Sequence, residues 1–268
     1  MPDPTIEALF EESRSFAPPA GFAGPATATS DSIYDEAKDS ESWWAAEAKK
    51  YVWRKPWDQT LDWTNAPFAQ WFVGGTLNIT ESCLDRHLAE HADRVAYYWE
   101  GEPGDTRTLT YGDLHAEVCR LANALTELGV QPDDRVAIYM GMVPELPVAL
   151  LACARIGAPH SVIFGGFSAE ALRDRINDAE AKVLITGDGA WPPGNIVALK
   201  AAADSAVADC PSIEKVVVVR RTGHEVGWVE GRDVWYHDAV AGQQTTCPAE
   251  EMDSEDPLYL LYTSGTTG

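Results

Sequence analysis

Four short, largely apolar runs, separated by longer mixed stretches, dominate the middle of this chain. They are residues 136–140, 161–164, 182–186 and 216–219. Runs of this length without regular polar alternation are typical of strands buried on both faces of a parallel sheet. The stretches between them are long enough for the helical crossovers that parallel strands require. The pattern predicts an α/β domain with a doubly wound, mostly parallel sheet and flanking helices.

Capping signals predict where the helices begin and end. Thr110 precedes a stretch with apolar residues at helical spacing, and Gly129 follows that stretch. Pro144 is placed to open the next helix, and Ser168 to cap a helix over residues 169–177. Helices and strands therefore alternate along the chain, as a doubly wound domain requires.

The chain before residue 91 has a different composition. Residues 1–42 contain many Pro, Gly, Ser and Thr residues, which predicts a loosely ordered leader. Residues 43–90 hold six of the ten tryptophans but little periodicity. We expect this irregular extension to use its aromatic side chains as anchors on a larger body. Residues 91–268 then form the first part of the α/β domain.

The excess of acidic over basic residues limits which kinds of molecule this protein is expected to bind. The chain has 42 acidic and 20 basic residues, a formal net charge of -22. Nucleic-acid binding requires clusters of Lys and Arg, so nucleic acid is not an expected partner. Acidity spread over the whole chain favours a protein of a high-salt cytoplasm; the alternative is an ordinary acidic enzyme.

Membrane and metal signals are weak in this sequence. It has no 18-residue apolar stretch, and its first residues lack the basic and apolar regions of a signal peptide, which together predict a cytoplasmic protein. The five cysteines form no CxxC pair, so neither zinc nor disulfides are predicted. His87 and His91 have the spacing of a helical metal pair but no evident third ligand, which favours a solvated helix face.

The end of the chain carries the clearest candidate site. Residues 258–261 are apolar and predict a buried strand, and a run of hydroxyl residues and glycines follows it: Thr263, Ser264, Gly265, Thr266, Thr267 and Gly268. Glycine N–H groups and Ser or Thr hydroxyls can form an anion-binding concavity. The run is not a Walker A loop, because the GK[ST] ending is missing. A solvated loop is the alternative, but ligands of such sheets bind at the carboxyl ends of strands, which favours phosphate binding.

These residues are similar to a known signature. The run from Tyr262 to Gly268 resembles the phosphate-binding loop of the adenylate-forming enzymes. Upstream segments resemble the AMP-forming acetyl-CoA synthetases in particular: residues 74–78, 83–87, 142–145, 152–158, 160–168, 221–223 and 231–233. The resemblance extends over residues 43–268.

The resemblance implies an acetate–CoA ligase. Acetate would attack the α-phosphate of ATP to form acetyl-adenylate and diphosphate, and the CoA thiol would then displace AMP. ATP, CoA and Mg²⁺ are the implied cofactors and substrates, with Thr263 to Gly268 binding the β- and γ-phosphates. Gly166 matches a position at which the backbone of the family's enzymes lies against CoA. The alternative explanation for glycine at positions 165 and 166 is a tight strand-to-helix turn. A ligase for propionate or another short acid remains open.

This sequence departs from the family in two respects. Pro192 and Asn195 stand where the resemblance places two arginines that bind CoA, and neither can neutralise a phosphate. The lysine after the phosphate loop and the acid pocket would lie beyond Gly268, so no catalytic residue is predicted within this chain. We therefore expect it to be part of a longer ligase and inactive alone. The alternative is a non-catalytic nucleotide-binding or interaction module.

Overall fold

The computed structural model describes residues 15–24, 30–191 and 195–263. The chain divides into two compact units, one ending at Ala48 and the other beginning at Lys49. The described part of the first unit contains three short helices: α1 (Ala20–Ala23), α2 (Ser32–Glu36) and α3 (Ser40–Ala48).

The second unit contains the remaining elements. Its described strands are β1 (Gln59–Asp62), β2 (Gln70–Val73), β3 (Thr76–Leu77), β4 (Val95–Glu100), β5 (Thr106–Thr110), β6 (Val136–Met140), β7 (His160–Phe164), β8 (Val183–Gly187), β9 (Lys215–Val219), β10 (Asp233–Trp235), β11 (Met252–Asp253) and β12 (Tyr259–Leu260). Its described helices are α4 (Arg86–His91), α5 (Tyr111–Glu127), α6 (Glu145–Arg155), α7 (Ala169–Ala179), α8 (Leu199–Val207) and α9 (Tyr236–Val240). A π-helical turn over Glu81–Asp85 precedes α4.

The main sheet has six parallel strands in the order β10-β9-β8-β6-β7-β12. Val136 of β6 pairs with His160 on one side and with Val183 on the other. The chain thus winds outward from β6 in both directions, which confirms the predicted doubly wound α/β fold. Three two-stranded antiparallel ribbons, β1-β2, β3-β11 and β4-β5, complete the described sheets.

Each face of the main sheet packs against its own hydrophobic core. Side chains of successive strand residues point to opposite faces, so Ile138 and Tyr139 of β6 belong to different cores. The first core includes the apolar face of α5 and α6, and the second includes α7 and α8. Two-sided burial explains why the strand sequences are almost continuously apolar.

The predicted capping residues lie where the sequence indicates. The Thr110 side chain accepts a hydrogen bond from the Asp113 N–H, and the Asp113 carboxylate accepts one from the Thr110 N–H, which forms a capping box. Ser168 caps α7 through the Ala171 N–H, and Pro144 immediately precedes α6. These local contacts confirm the predicted helix starts.

Aromatic side chains of the tryptophan-rich segment pack against one another. The rings of Trp53 and Trp57 are 4.9 Å apart in an edge-to-face arrangement, and Phe72 lies 5.1 Å from Trp57. The Ser254 hydroxyl donates to the backbone carbonyl of Phe72 at 2.8 Å, which ties β2 to the segment that leads into β12. The aromatic cluster and the hydrogen bond from Ser254 hold the hairpin of β1 and β2 within the second unit.

The predicted burial of residues 258–261 is wrong. A parallel strand does form there, and Tyr259 pairs with His160 of β7. However, Tyr259 and Leu261 are 57% and 71% exposed, whereas Leu260 packs against the core of α7 and α8. The reason is position: β12 is the edge strand of the described sheet, and the core of α5 and α6 ends before it.

Candidate functional site at the carboxyl edge of the sheet

The candidate ligand segments follow three strands of the main sheet, all at one edge. Gly165 and Gly166 come directly after β7, Asp188 after β8, and Tyr262 shortly after β12. Because these strands are parallel, their carboxyl ends meet at the same edge. This is the edge at which open α/β sheets bind ligands.

Tyr262 anchors the start of the predicted phosphate loop to α7. Its hydroxyl donates to the Asp178 carboxylate. Burial, and then this hydrogen bond, raise the pKa of Tyr262 to about 12. Thr263 is exposed at the edge, whereas Ser264, Gly265, Thr266, Thr267 and Gly268 lie outside the described residues. Their contacts with phosphate stay a prediction.

Arg175 of α7 joins the two predicted ligand segments. Its guanidinium carbon lies 4.8 Å from the centre of the Phe167 ring and 5.3 Å from that of Tyr262. Phe167 follows Gly166, so a single cation–π cluster links the turn after β7 to the start of the phosphate loop. Arg175 is not among the residues predicted from the sequence, where its one signal is a cation on the helix that follows Gly166.

Gly165 and Gly166 have different surroundings. A Cβ atom on Gly165 would lie 2.7 Å from the Met140 carbonyl oxygen, which is a clash with backbone. On Gly166 it would lie 2.9 Å from the Phe164 ring, a side chain that is 69% exposed and free to rotate away. The absence of a side chain at Gly165 is therefore explained by the fold itself. Packing within the described residues does not account for glycine at position 166.

Asp188 organises the loops after β8 and β9. Its fully buried carboxylate accepts hydrogen bonds from the N–H groups of Gly189, Arg221, Thr222 and Gly223, at 2.6 to 3.2 Å. Burial opposes ionisation, but these four backbone donors hold the pKa of Asp188 below its usual value. The carboxylate thus fixes both loops at the edge of the sheet.

The loop that holds Pro192 and Asn195, where the family resemblance implies two arginines, begins just after Asp188. Asn195 is exposed, and Pro192 lies outside the described residues. Ala190 and Val197 pair through backbone hydrogen bonds of 3.0 Å in each direction, which closes this segment into a loop. With an amide at position 195, the described part of the loop contributes no cation to this edge.

Two adjacent arginines follow β9, but only one of them has acidic partners. Arg221 contacts Asp105 at 2.6 Å and Glu102 at 3.7 Å, and it lies over the Trp99 ring. Arg220 lies 4.5 Å from the centre of the Trp235 ring. Among the residues that the structure describes, no carboxylate lies within ion-pair distance of Arg220.

The described residues contain no preformed metal site. No group of three or more His, Cys, Asp or Glu side chains is arranged to hold a metal ion in the described ranges. The rings of His87 and His91 stack 6.4 Å apart on α4, and no third ligand accompanies them among the described residues. Mg²⁺ is commonly held by one or two carboxylates together with substrate phosphates, so the described residues offer no dedicated site for it.

None of the described helices has both the length and the apolar composition that a bilayer crossing requires.

Comparison with known proteins agrees with this geometry. The sequence model for the N-terminus of acetyl-coenzyme A synthetase matches residues 31–83, and that of the AMP-binding enzyme family matches residues 84–268. Acetyl-coenzyme A synthetase from Streptomyces avermitilis is 54% identical over 270 residues, which cover 100% of this chain and 41% of the relative. The corresponding enzyme from Rubrobacter xylanophilus is 56% identical over 258 residues, which cover 95% of this chain and 40% of the relative.

A solved structure shows the same fold. Acetoacetyl-CoA synthetase from Streptomyces lividans superposes with a TM-score of 0.80 and 29% sequence identity, over 91% of this chain and 38% of that one. The chain spans about two fifths of the length of these relatives. Because the family model matches well over half of its residues, the chain belongs to the AMP-binding enzyme family.

Proposed function

We propose that this chain is part of an AMP-forming acetate–CoA ligase. The observation that carries the proposal is the cation–π cluster in which Arg175 contacts both Phe167, which follows Gly166, and Tyr262, which precedes the predicted phosphate loop. The similarity to acetyl-coenzyme A synthetases supports acetate as the acid and CoA as the acceptor.

In the proposed reaction, a carboxylate oxygen of acetate attacks the α-phosphorus of ATP. The bond to the β-phosphate breaks, and acetyl-adenylate and diphosphate form. The CoA thiolate then attacks the acetyl carbonyl, and AMP leaves. Both steps concentrate negative charge on phosphate oxygens, so positioning and charge stabilisation supply most of the catalysis. Mg²⁺ would neutralise charge on the bound phosphates.

The role proposed for this chain is to bind and orient phosphates. The hydroxyl and N–H groups of Thr263, Ser264, Gly265, Thr266, Thr267 and Gly268 would hold the β- and γ-phosphates. Tyr262 would keep the start of this loop in place, because its neutral hydroxyl donates to Asp178. Gly166 would allow close approach of CoA to the backbone after β7.

An assay of the full-length protein tests the proposal. With acetate, ATP, Mg²⁺ and CoA, we expect AMP and diphosphate in equal amounts, and we expect no AMP from the 268-residue chain alone. Rates with propionate and butyrate would show whether acetate is preferred, since one methylene is worth about 1–3 kcal/mol in a fitted pocket. The proposal is wrong if the full-length protein forms AMP with none of these acids.

A further inference from the structure

A second recessed surface lies at the β9–β10 end of the carboxyl edge. Arg220, His224, Glu225, Trp228 and Trp235 are among the residues that line it, and its volume is about 530 Å³. We call it the tryptophan–arginine pocket. None of its residues takes part in the proposed phosphate or Gly166 sites.

The pocket combines an aromatic surface with a cation. The rings of Trp228 and Trp235 stack 4.8 Å apart at an angle of 24°, and Trp228 is 38% exposed. The Arg220 guanidinium lies 4.5 Å from the centre of the Trp235 ring. Aromatic side chains stack on nucleobases, and a guanidinium binds phosphate through two parallel hydrogen bonds. This combination suits a ligand that carries both a base and a phosphate.

The charged groups of the pocket are available for a ligand. Unlike Arg221, which pairs with Asp105 and Glu102, Arg220 has no ion-pair partner among the described residues. The Nδ1 atom of His224 contacts the Thr222 hydroxyl at 2.7 Å, which leaves Nε2 as the ring nitrogen free to meet a ligand. Glu225 is the acidic residue of the lining, and it would oppose an anion there.

A buried ionic cluster holds the tryptophan wall in place. The fully buried Lys200 ammonium donates to the Asp233 carboxylate at 2.9 Å and to the Gly227 carbonyl at 3.0 Å. Asp233 also accepts a hydrogen bond of 2.9 Å from the Val229 N–H. These contacts fix the backbone on both sides of Trp228 and two residues before Trp235. The aromatic surface is therefore positioned before any ligand arrives.

The pocket borders the loop in which Pro192 and Asn195 replace the expected arginines. A Cβ atom on Gly189 would lie 2.9 Å from both His224 Cε1 and the Val197 carbonyl, which shows how closely the loop packs on the pocket wall. Gly166 follows β7, which lies three strand positions from β9. That separation is about 14 Å, short enough for one extended CoA molecule to reach both places.

We propose that the tryptophan–arginine pocket binds the adenosine 3′-phosphate end of CoA. The adenine stacks on the exposed Trp228 ring, whose other face Trp235 covers, and the 3′-phosphate pairs with Arg220 and His224. Arg220 thus supplies, from the loop after β9, a cation that the loop after β8 lacks. This inference rests on the proposed function, because that function supplies CoA as the ligand.

Steady-state kinetics of the full-length enzyme tests the pocket. We expect Arg220→Ala to raise KM for CoA about 10-fold relative to KM for ATP, because a charged hydrogen-bonded pair is lost. Arg220→Lys should recover part of this loss, and Glu225→Gln should lower KM for CoA. Arg173→Ala is the matched control, since Arg173 is an arginine of α7 paired with its neighbour Asp174.

A comparison of CoA with 3′-dephospho-CoA identifies the group that Arg220 binds. The wild-type enzyme should prefer CoA, and Arg220→Ala should lose that preference. An unchanged KM for CoA in Arg220→Ala, or an equal rise in Arg173→Ala, would overturn the proposal.

Direct binding separates failure of the pocket from failure of the proposed function. Calorimetric titration of the full-length protein with adenosine 3′,5′-bisphosphate requires no turnover. We expect binding by the wild-type protein that weakens at least 10-fold in Arg220→Ala. A protein that binds this probe but forms no AMP would refute the ligase assignment alone. A protein that forms AMP but binds the probe equally well with and without Arg220 would refute the pocket alone.

Discussion

Adjacent glycines after β7 differ in what surrounds them. Gly165 is pressed against the backbone at the end of β6, with the Met140 carbonyl oxygen 2.7 Å from the position of a Cβ atom. Among the described residues, a Cβ atom on Gly166 would meet only the ring of Phe164, which is 69% exposed and can rotate away. The two positions therefore allow a turn requirement to be separated experimentally from a ligand requirement.

We expect Gly165→Ala to destabilise the protein by about 1–3 kcal/mol, because the added methyl group forces the ends of β6 and β7 apart. Gly166→Ala should change the free energy of unfolding by less than about 1 kcal/mol but should raise KM for CoA. Urea denaturation and steady-state kinetics of the two variants provide the measurement. A large loss of stability in Gly166→Ala with unchanged KM for CoA would assign Gly166 to the turn as well.

At the scale of elements, a buried ionic cluster joins the π-helical turn to α5 and α6. Arg155 of α6 donates two hydrogen bonds of 2.9 Å to the Asp85 carboxylate, and His115 of α5 contacts the same group at 3.6 Å. Burial opposes ionisation of Asp85, but hydrogen bonds from His115 and Arg155 hold its pKa below the usual range. The hydrogen bond to Asp85, and then the contact with Cys119, raise the pKa of His115 from 6.5 to about 9.

This cluster predicts a loss of stability at alkaline pH. A histidine whose pKa is higher in the folded state stabilises the fold fully below pH 6.5, and the contribution disappears as pH rises through 9. The shift corresponds to about 3 kcal/mol as an upper bound. Urea titrations between pH 6.5 and 9.5 should show the decline in the wild-type protein and a flatter profile in His115→Gln.

His91→Gln, at the end of α4, is the matched control for the loss of a histidine. Its profile should follow that of the wild-type protein. An equal alkaline decline in His115→Gln would show that other groups, and not the Asp85–His115 contact, cause the pH dependence.

At the scale of the whole molecule, the formal net charge of -22 is the dominant electrostatic feature. Like charges of this number repel one another and destabilise the compact state. Salt reduces the repulsion, since the Debye length falls from about 10 Å at 0.1 M to about 3 Å at 1 M. A high-salt environment would therefore suit this protein.

We expect the Tm to rise steadily as KCl increases from 0.1 M to above 1 M, and the fold to be lost on dialysis into low salt. Sucrose at matched osmolality is the control, because it changes hydration without screening charge. A Tm that is indifferent to KCl would contradict the high-salt hypothesis and favour an ordinary acidic enzyme.

The sequence alone determined the fold class, because the signals for it are local. Continuous apolar runs identify strands buried on two faces, and residues such as Thr110 and Ser168 cap helices through contacts three residues away. The carboxyl ends of the strands could likewise be predicted as the ligand edge. The family resemblance of residues 43–268 was also readable without coordinates, since it depends on residue identity alone.

Only the tertiary structure decided which distant side chains meet at that edge. Strand order brings Trp235 beside Val218 and places Arg220 over the Trp235 ring, and helix α7 brings Arg175 between Phe167 and Tyr262. Within the described sheet, the same order leaves Tyr259 exposed on β12, the edge strand, which the sequence pattern predicts to be buried. The pattern of apolar residues in a sequence indicates how deeply each helix or strand is buried on average. The neighbours of each element depend on the packing of the whole sheet, which no local pattern contains.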